Sequence, residues 1–77
     1  MSAVEKAEKI AGDFPARLVR ERERAGLTRA ELAERCECSP ARVYEWETGV
    51  SLPGWRYVLI LSLSLGITPD TFAEKSK

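Results

Sequence analysis

The sequence predicts an all-α domain, and three observations predict it. Apolar residues recur at three- and four-residue spacing: Phe14 and Leu18; Leu32, Ala33 and Cys36; Val43 and Trp46; Val58, Leu61 and Leu65. That spacing collects them on one face of a 3.6-residue helix. Helix-start signals precede two of these runs: Thr28-Arg29-Ala30-Glu31 is a capping box, and Ser39-Pro40 places an N-cap side chain before a proline at the first helical position. Gly26 and Gly66 stand where helices should stop.

Taken in order, Met1 to Gly12 carries Val4, Ala7, Ile10 and Ala11 at roughly helical spacing among Glu and Lys. It reads as either a short helix or a frayed arm, ended by Gly12 in both cases. Asp13 is expected to open the first firm helix as its N-cap, with Pro15 in the first turn and Phe14, Leu18 and Ala25 facing inward. Arg22 falls four residues after Leu18, on the same face. A charge there must snorkel or find a carboxylate elsewhere in the chain, and Glu47 is the candidate. Arg17, Arg20, Glu21, Glu23 and Arg24 read as a solvated face.

The second helix buries Leu32, Ala33 and Cys36, and its N-terminus, with Arg29 beside it, is a natural place for a phosphate to dock. Cys36-Glu37-Cys38 makes the turn to the third helix. The two cysteines read as small buried apolar residues, with a redox switch or half a metal site as the alternative. Glu37 falls where left-handed dihedrals favour glycine, at a cost near ~1 kcal/mol. In the third helix Val43 and Trp46 form the buried seam, while Pro40, Ala41, Arg42, Tyr44 and Glu45 lie mostly on the other faces. Such a helix is suited to presenting side chains.

A loop from Val50 to Gly54 leads to a fourth helix, Trp55 to Leu65. Val58, Leu61, Ser62 and Leu65 share one face, with Trp55 one turn earlier. Leu59, Ile60 and Leu63 fall outside that stripe, with Tyr57 close by. A helix apolar nearly all round needs cover on a second side, from another chain or from the N-terminal arm folded back. Tyr57, Leu59, Ile60 and Leu63 are thus the candidate homodimer interface. Thr68-Pro69-Asp70 starts a last short helix anchored by Phe72.

Composition bounds the function. Seventy-seven residues, 44 % of them hydrophobic, make one small domain. Its expected limits are 13–73, with an arm or short helix at 1–12 and a tail at 74–77. Two cysteines and no histidine argue against a complete zinc site and remove the commonest general base. With no Gly-rich phosphate loop either, the chain is expected to be no enzyme and to carry no metal, cofactor or evident small-molecule ligand. Its net charge is +0, so any nucleic-acid surface must come from local arrangement. Met1 to Gly12 lacks the apolar stretch of a signal peptide. The longest apolar run, Tyr57 to Leu65, is about half the ~20 residues that span a bilayer. The sequence therefore predicts a soluble, cytoplasmic chain without a membrane partner.

Several stretches resemble the Cro/CI-type helix-turn-helix family of phage and bacterial repressors, the Xre family. They are Ala25-Gly26-Leu27-Thr28, Glu31-Leu32-Ala33-Glu34, Ser39-Pro40-Ala41-Arg42-Val43, Trp46-Glu47-Thr48-Gly49, Leu52-Pro53 and Leu65-Gly66-Ile67-Thr68-Pro69-Asp70. The resemblance runs from Phe14 to Phe72 without a gap. It implies a five-helix, lambda-repressor-like domain whose second and third helices form the helix-turn-helix. It also supports the Arg22–Glu47 pair.

The resemblance further implies a transcriptional regulator that binds double-stranded DNA, with the third helix in the major groove. By position, Pro40, Ala41, Arg42 and Glu45 would face bases. Arg29, Ser39, Tyr44, Thr48 and Ser51, with N–H groups around Gly49 to Ser51, would meet phosphates. Many relatives carry Arg, Lys, Gln or Asn at the positions of Pro40, Glu45 and Thr48, and a glycine at that of Glu37. Here Pro40 and Ala41 offer only apolar contact, Glu45 can accept from cytosine N4, and Arg42 can grip guanine O6 and N7. The alternative function is a protein-interaction module on the same fold, motivated by the zero net charge and by Glu45 on the reading helix.

Overall fold

The computed structural model describes residues 1–73, so the expected tail at 74–77 lies outside the described residues. Helices α1 (Ala3–Arg24), α2 (Arg29–Cys36), α3 (Pro40–Thr48) and α4 (Trp55–Leu65) are followed by a 3-10 turn, Pro69–Ala73. The described residues contain no strand. The architecture is the expected all-α one, with the fifth helix tightened to 3-10 geometry.

The first helix departs from expectation. Instead of a break at Gly12 and a new start at Asp13, one helix runs from Ala3 to Arg24 with Gly12 and Pro15 inside it. Its start is a second capping box. The Glu5 N–H donates to Ser2 Oγ at 3.1 Å, and the Ser2 N–H donates to Glu5 Oε1 at 3.0 Å. Asp13 caps nothing and instead accepts from Lys9 Nζ at 3.3 Å. Pro15 has no N–H to give the carbonyl four residues back, which weakens the helix locally. Tertiary packing holds the segment through that point, because Phe14 and Leu18 on either side are both buried.

The inward face of α1 is also wider and more polar than expected. Arg17 and Glu21 are buried with Phe14 and Leu18, a 14, 17, 18, 21 stripe of helical period. Ala25 is exposed, as the C-cap residue. Glu21 satisfies its carboxylate with Arg20 Nε at 3.5 Å and Arg24 Nη1 at 3.4 Å, so its burial leaves the arginines at the rim.

The core gathers Phe14, Leu18, Leu32, Val43, Trp46, Leu61 and Phe72. Phe14 and Phe72 meet at 4.9 Å between ring centroids, inclined at 55°, a tilted arrangement that aromatic quadrupoles favour. This contact closes the 3-10 turn onto α1. Between α2 and α3, Glu37 takes φ 54° and ψ 44°, the left-handed conformation expected of it. There the Cys38 N–H donates to the Ala33 carbonyl at 3.0 Å.

Helix α4 buries Leu61 and Ser62, and packs Tyr57, Val58, Ile60 and Leu65 partly against the core. Trp55, expected inward, is 67 % exposed; with Leu59 and Leu63 it forms an outward stripe of four-residue period. The N-terminal half of α1 leaves Leu63 uncovered at 83 % exposed. Instead, Ala7 and Ile10 form one wall of an apolar groove of about 380 Å³ against Leu52, Trp55 and Phe72. Among the described residues no helix is long and apolar enough to cross a membrane.

Continuity of α1 through Gly12 has a simple test. A methyl group added at Gly12 meets nothing within 4 Å, so Gly12→Ala should stabilise the fold by roughly 0.5–1 kcal/mol. Chemical denaturation measures it; no gain would indicate that the helix is broken there in solution.

Candidate functional site

Helix α3 is held by its own local chemistry and by one buried charge. Ser39 Oγ accepts from the Arg42 N–H at 3.3 Å, and Pro40 occupies the first helical position. Val43, Trp46 and Glu47 point inward. At 100° per residue the outermost ridge is then Ala41, Glu45 and Thr48. Arg42 lies on the flank beside Trp46, and Tyr44 on the flank beside Glu47. All the residues expected to face a ligand are exposed: Arg29, Ser39, Pro40, Ala41, Arg42, Tyr44, Glu45, Thr48 and Ser51.

Both flanks carry an arginine set over an aromatic ring. On one, the guanidinium carbon of Arg29 lies 4.9 Å from the Tyr44 ring centroid. On the other, Arg42 and Arg56 lie 5.5 and 5.6 Å from that of Tyr57. Tyr57 itself packs on Trp46, with 5.1 Å between centroids. These contacts give the face around α3 three cations, in a chain of zero net charge.

Beneath this surface lies the carboxylate that the position of Arg22 calls for. Glu47, with none of its side chain exposed, accepts from Arg22 Nε at 2.6 Å and Nη2 at 3.1 Å. Arg22 Nη1 also donates to the Leu27 carbonyl at 2.9 Å. The hydrogen bond to Glu47 raises the Arg22 pKa above its ordinary value. A third participant was not expected: Arg29 Nε donates to Glu47 Oε1 at 2.8 Å. Arg29 keeps 43 % of its side chain exposed and so bridges core and surface.

Two of the groups expected to meet phosphates are engaged within the chain. The N–H groups of Gly49, Val50 and Ser51 all donate to the Glu45 carbonyl. They close the end of α3 rather than stand free, because a helix terminus must satisfy its own carbonyls. The Thr48 hydroxyl donates to the Tyr44 carbonyl at 2.8 Å, leaving its lone pairs and methyl group to the outside. Of the four residues expected at a dimer interface, Leu59 and Leu63 are exposed, whereas Tyr57 and Ile60 are partly buried in their own core.

Both cysteines are free. Cys36 is buried, with Sγ 3.6 Å from Ser64 Oγ, and burial pushes its thiol pKa up; the half-buried Cys38 is pushed up for the same reason. The described residues hold no group of three or more His, Cys, Asp or Glu that could bind a metal ion. Sequence reading missed Arg17 and Glu21 as buried groups, although their spacing from Phe14 carried the signal. It also missed the stacking of Arg42 on Tyr57, for which no local pattern exists.

A family model described as a helix-turn-helix domain matches residues 13–74. No curated protein and no solved structure gives a significant match.

Removing the buried carboxylate should be costly. Glu47→Ala strands Arg22 and is expected to cost about 3 kcal/mol, read as a lowered Tm; an unchanged Tm would refute a structural role for the pair. Exposure also orders the two thiols. A small alkylating reagent at neutral pH should modify Cys38 ahead of Cys36, as peptide mass mapping over time would show.

Proposed function

The chain belongs to the helix-turn-helix domain family, and we propose that it is a sequence-specific, repressor-like regulator of the Cro/CI type. In this reading it works in the cytoplasm and binds a palindromic operator as a homodimer. The observation that carries the reading is the geometry of α3. Its N-terminal turn stands exposed on Ser39, Pro40, Ala41 and Arg42, while Val43, Trp46 and Glu47 fix its orientation from below. A short helix anchored along one side and open along the other is what a major groove admits.

Pro40 and Ala41 then offer apolar contact to a thymine methyl, Glu45 accepts from cytosine N4, and Arg42 takes guanine O6 and N7. Arg29, Ser39, Tyr44, Thr48 and Ser51 line the edges where the backbone would pass. Arg29 gives its Nε–H to Glu47, and a guanidinium has five donors, so it can hold a phosphate without leaving the core carboxylate. The exposed Leu59 and Leu63 supply an apolar surface for a second copy, and two-fold symmetry would place half-sites about one helical turn (~34 Å) apart. No metal, cofactor or small molecule enters the reading.

A second reading has its own support: an exposed Glu45 on the outermost ridge of α3 repels phosphate, which suits a protein-interaction module on the same fold. One experiment separates the two. Purified protein is offered fragmented genomic DNA at near-physiological salt, with excess random competitor. A DNA regulator recovers a short two-fold motif, and its affinity falls with salt at a slope near ~0.9 per phosphate contact. A folded protein that recovers nothing and shows no salt-dependent binding sinks the DNA reading in favour of a protein partner. On the recovered site, Arg42→Ala should cost roughly 1–3 kcal/mol and relax choice at one base pair, whereas Arg29→Ala should weaken all sequences alike. Equal losses for Arg42→Ala on specific and random DNA would remove it from the base-reading set.

A further inference from the structure

The ring of Tyr57 joins α4 to the exposed flank of α3. It is half-buried against Trp46, inclined at 51°, and the guanidinium of Arg42 lies over it. Arg42 is exposed, in the first turn of α3. A long side chain in that position loses rotamer freedom when a ligand fixes it. A ring held rigidly within reach of the guanidinium narrows those rotamers before the ligand arrives, because the cation is drawn to the ring face. Narrowing of that kind strengthens binding by lowering the ordering cost, without a new contact to the ligand.

We propose that Tyr57 is a positioning residue for Arg42, which confines the guanidinium to the α4 side of α3 and so determines which base pair Arg42 reads and how strongly. This rests on the DNA reading above. Tyr57 need not touch DNA: it acts through Arg42. Its aromatic face matters and its hydroxyl does not, which separates the role from a phosphate contact through the phenol. Arg56, at 5.6 Å from the same centroid, shares the ring and adds positive potential along that edge.

The test is a set of cycles on the selected operator and on the same operator changed only at the base pair that Arg42 reads. Wild type, Tyr57→Phe and Tyr57→Leu are measured, each with and without Arg42→Ala. Tyr57→Phe should keep wild-type discrimination within about twofold, and Tyr57→Leu should lose roughly two- to fivefold of it. In the Arg42→Ala background Tyr57→Leu should cost no further discrimination. An equal Tyr57→Leu loss in both backgrounds, or an equal drop on every sequence, overturns the positioning role and leaves DNA binding intact. A parent protein that prefers no sequence removes the DNA reading and this role together. Should Tyr57→Leu fail to fold, NMR of the wild type decides. The Arg42 side-chain protons next to the guanidinium should show upfield ring-current shifts that Tyr57→Phe retains, and ordinary positions for them would overturn the proposal.

Discussion

Glu47 is a carboxylate with no exposed side-chain surface in a domain of this size, and its surroundings are arranged to make that tolerable. Taking a carboxylate out of water costs several kcal/mol unless hydrogen bonds and opposite charge offset it. Here Arg22 supplies a two-point grip from α1, and Arg29 a third bond from the first residue of α2. One side chain of α3 thereby ties together the three helices that define the domain. An apolar residue at that position could pack as well but would accept many orientations of α3, whereas three directed bonds accept very few.

That arrangement bears on the site, since the outward face of α3 is useful only if its tilt is set. The inward residues Val43 and Trp46 supply burial, and Glu47 supplies direction. On the surface, cations sit against aromatic rings rather than reaching freely into water: Arg29 on Tyr44, and Arg42 and Arg56 on Tyr57. A chain with equal numbers of acidic and basic residues can in this way gather cations on both flanks of α3, with Glu45 the carboxylate on the ridge between them. Glu21 and Glu47 are buried in ion pairs, and Glu5 and Glu31 cap helices. Net charge therefore understates the positive charge available on the flanks of α3.

How much could be read from the sequence followed the range of the interaction. The starts of α2 and α3 were legible because caps act within three residues, as Thr28 with Glu31 and Ser39 with Arg42 do. The left-handed turn at Glu37 was legible from its place between two helices, at a position where the family it resembles carries glycine. The partner of Arg22 was legible for a different reason: a charge on an apolar face demands its opposite. The start of α1 was misread because Gly12 and Pro15 marked its expected limits and the Ser2 to Glu5 capping box was not noticed, although burial of Phe14 and Leu18 decides the matter in the folded chain. Arg17 and Glu21 were misread because they were grouped with Arg20, Glu23 and Arg24 as a solvated face, although they fall three residues after Phe14 and Leu18. The Tyr57 contacts connect α4 to α3 through a loop, and no spacing rule reaches that far. The roles of the α3 side chains toward a ligand came from the resemblance, and exposure is as much as the fold adds to them.

The unbroken α1 has a mechanical meaning. Its N-terminal half walls the apolar groove at Ala7 and Ile10, and its C-terminal end carries Arg22. Between Ile10 and Arg22 lies about 18 Å of helix at 1.5 Å per residue. A hinge at Gly12 would have let the two ends move independently. Without one, α1 runs unbroken from the groove, past the buried Phe14 and Leu18, to the residue that grips Glu47. One continuous helix thus borders both the apolar groove and the buried carboxylate that holds α3.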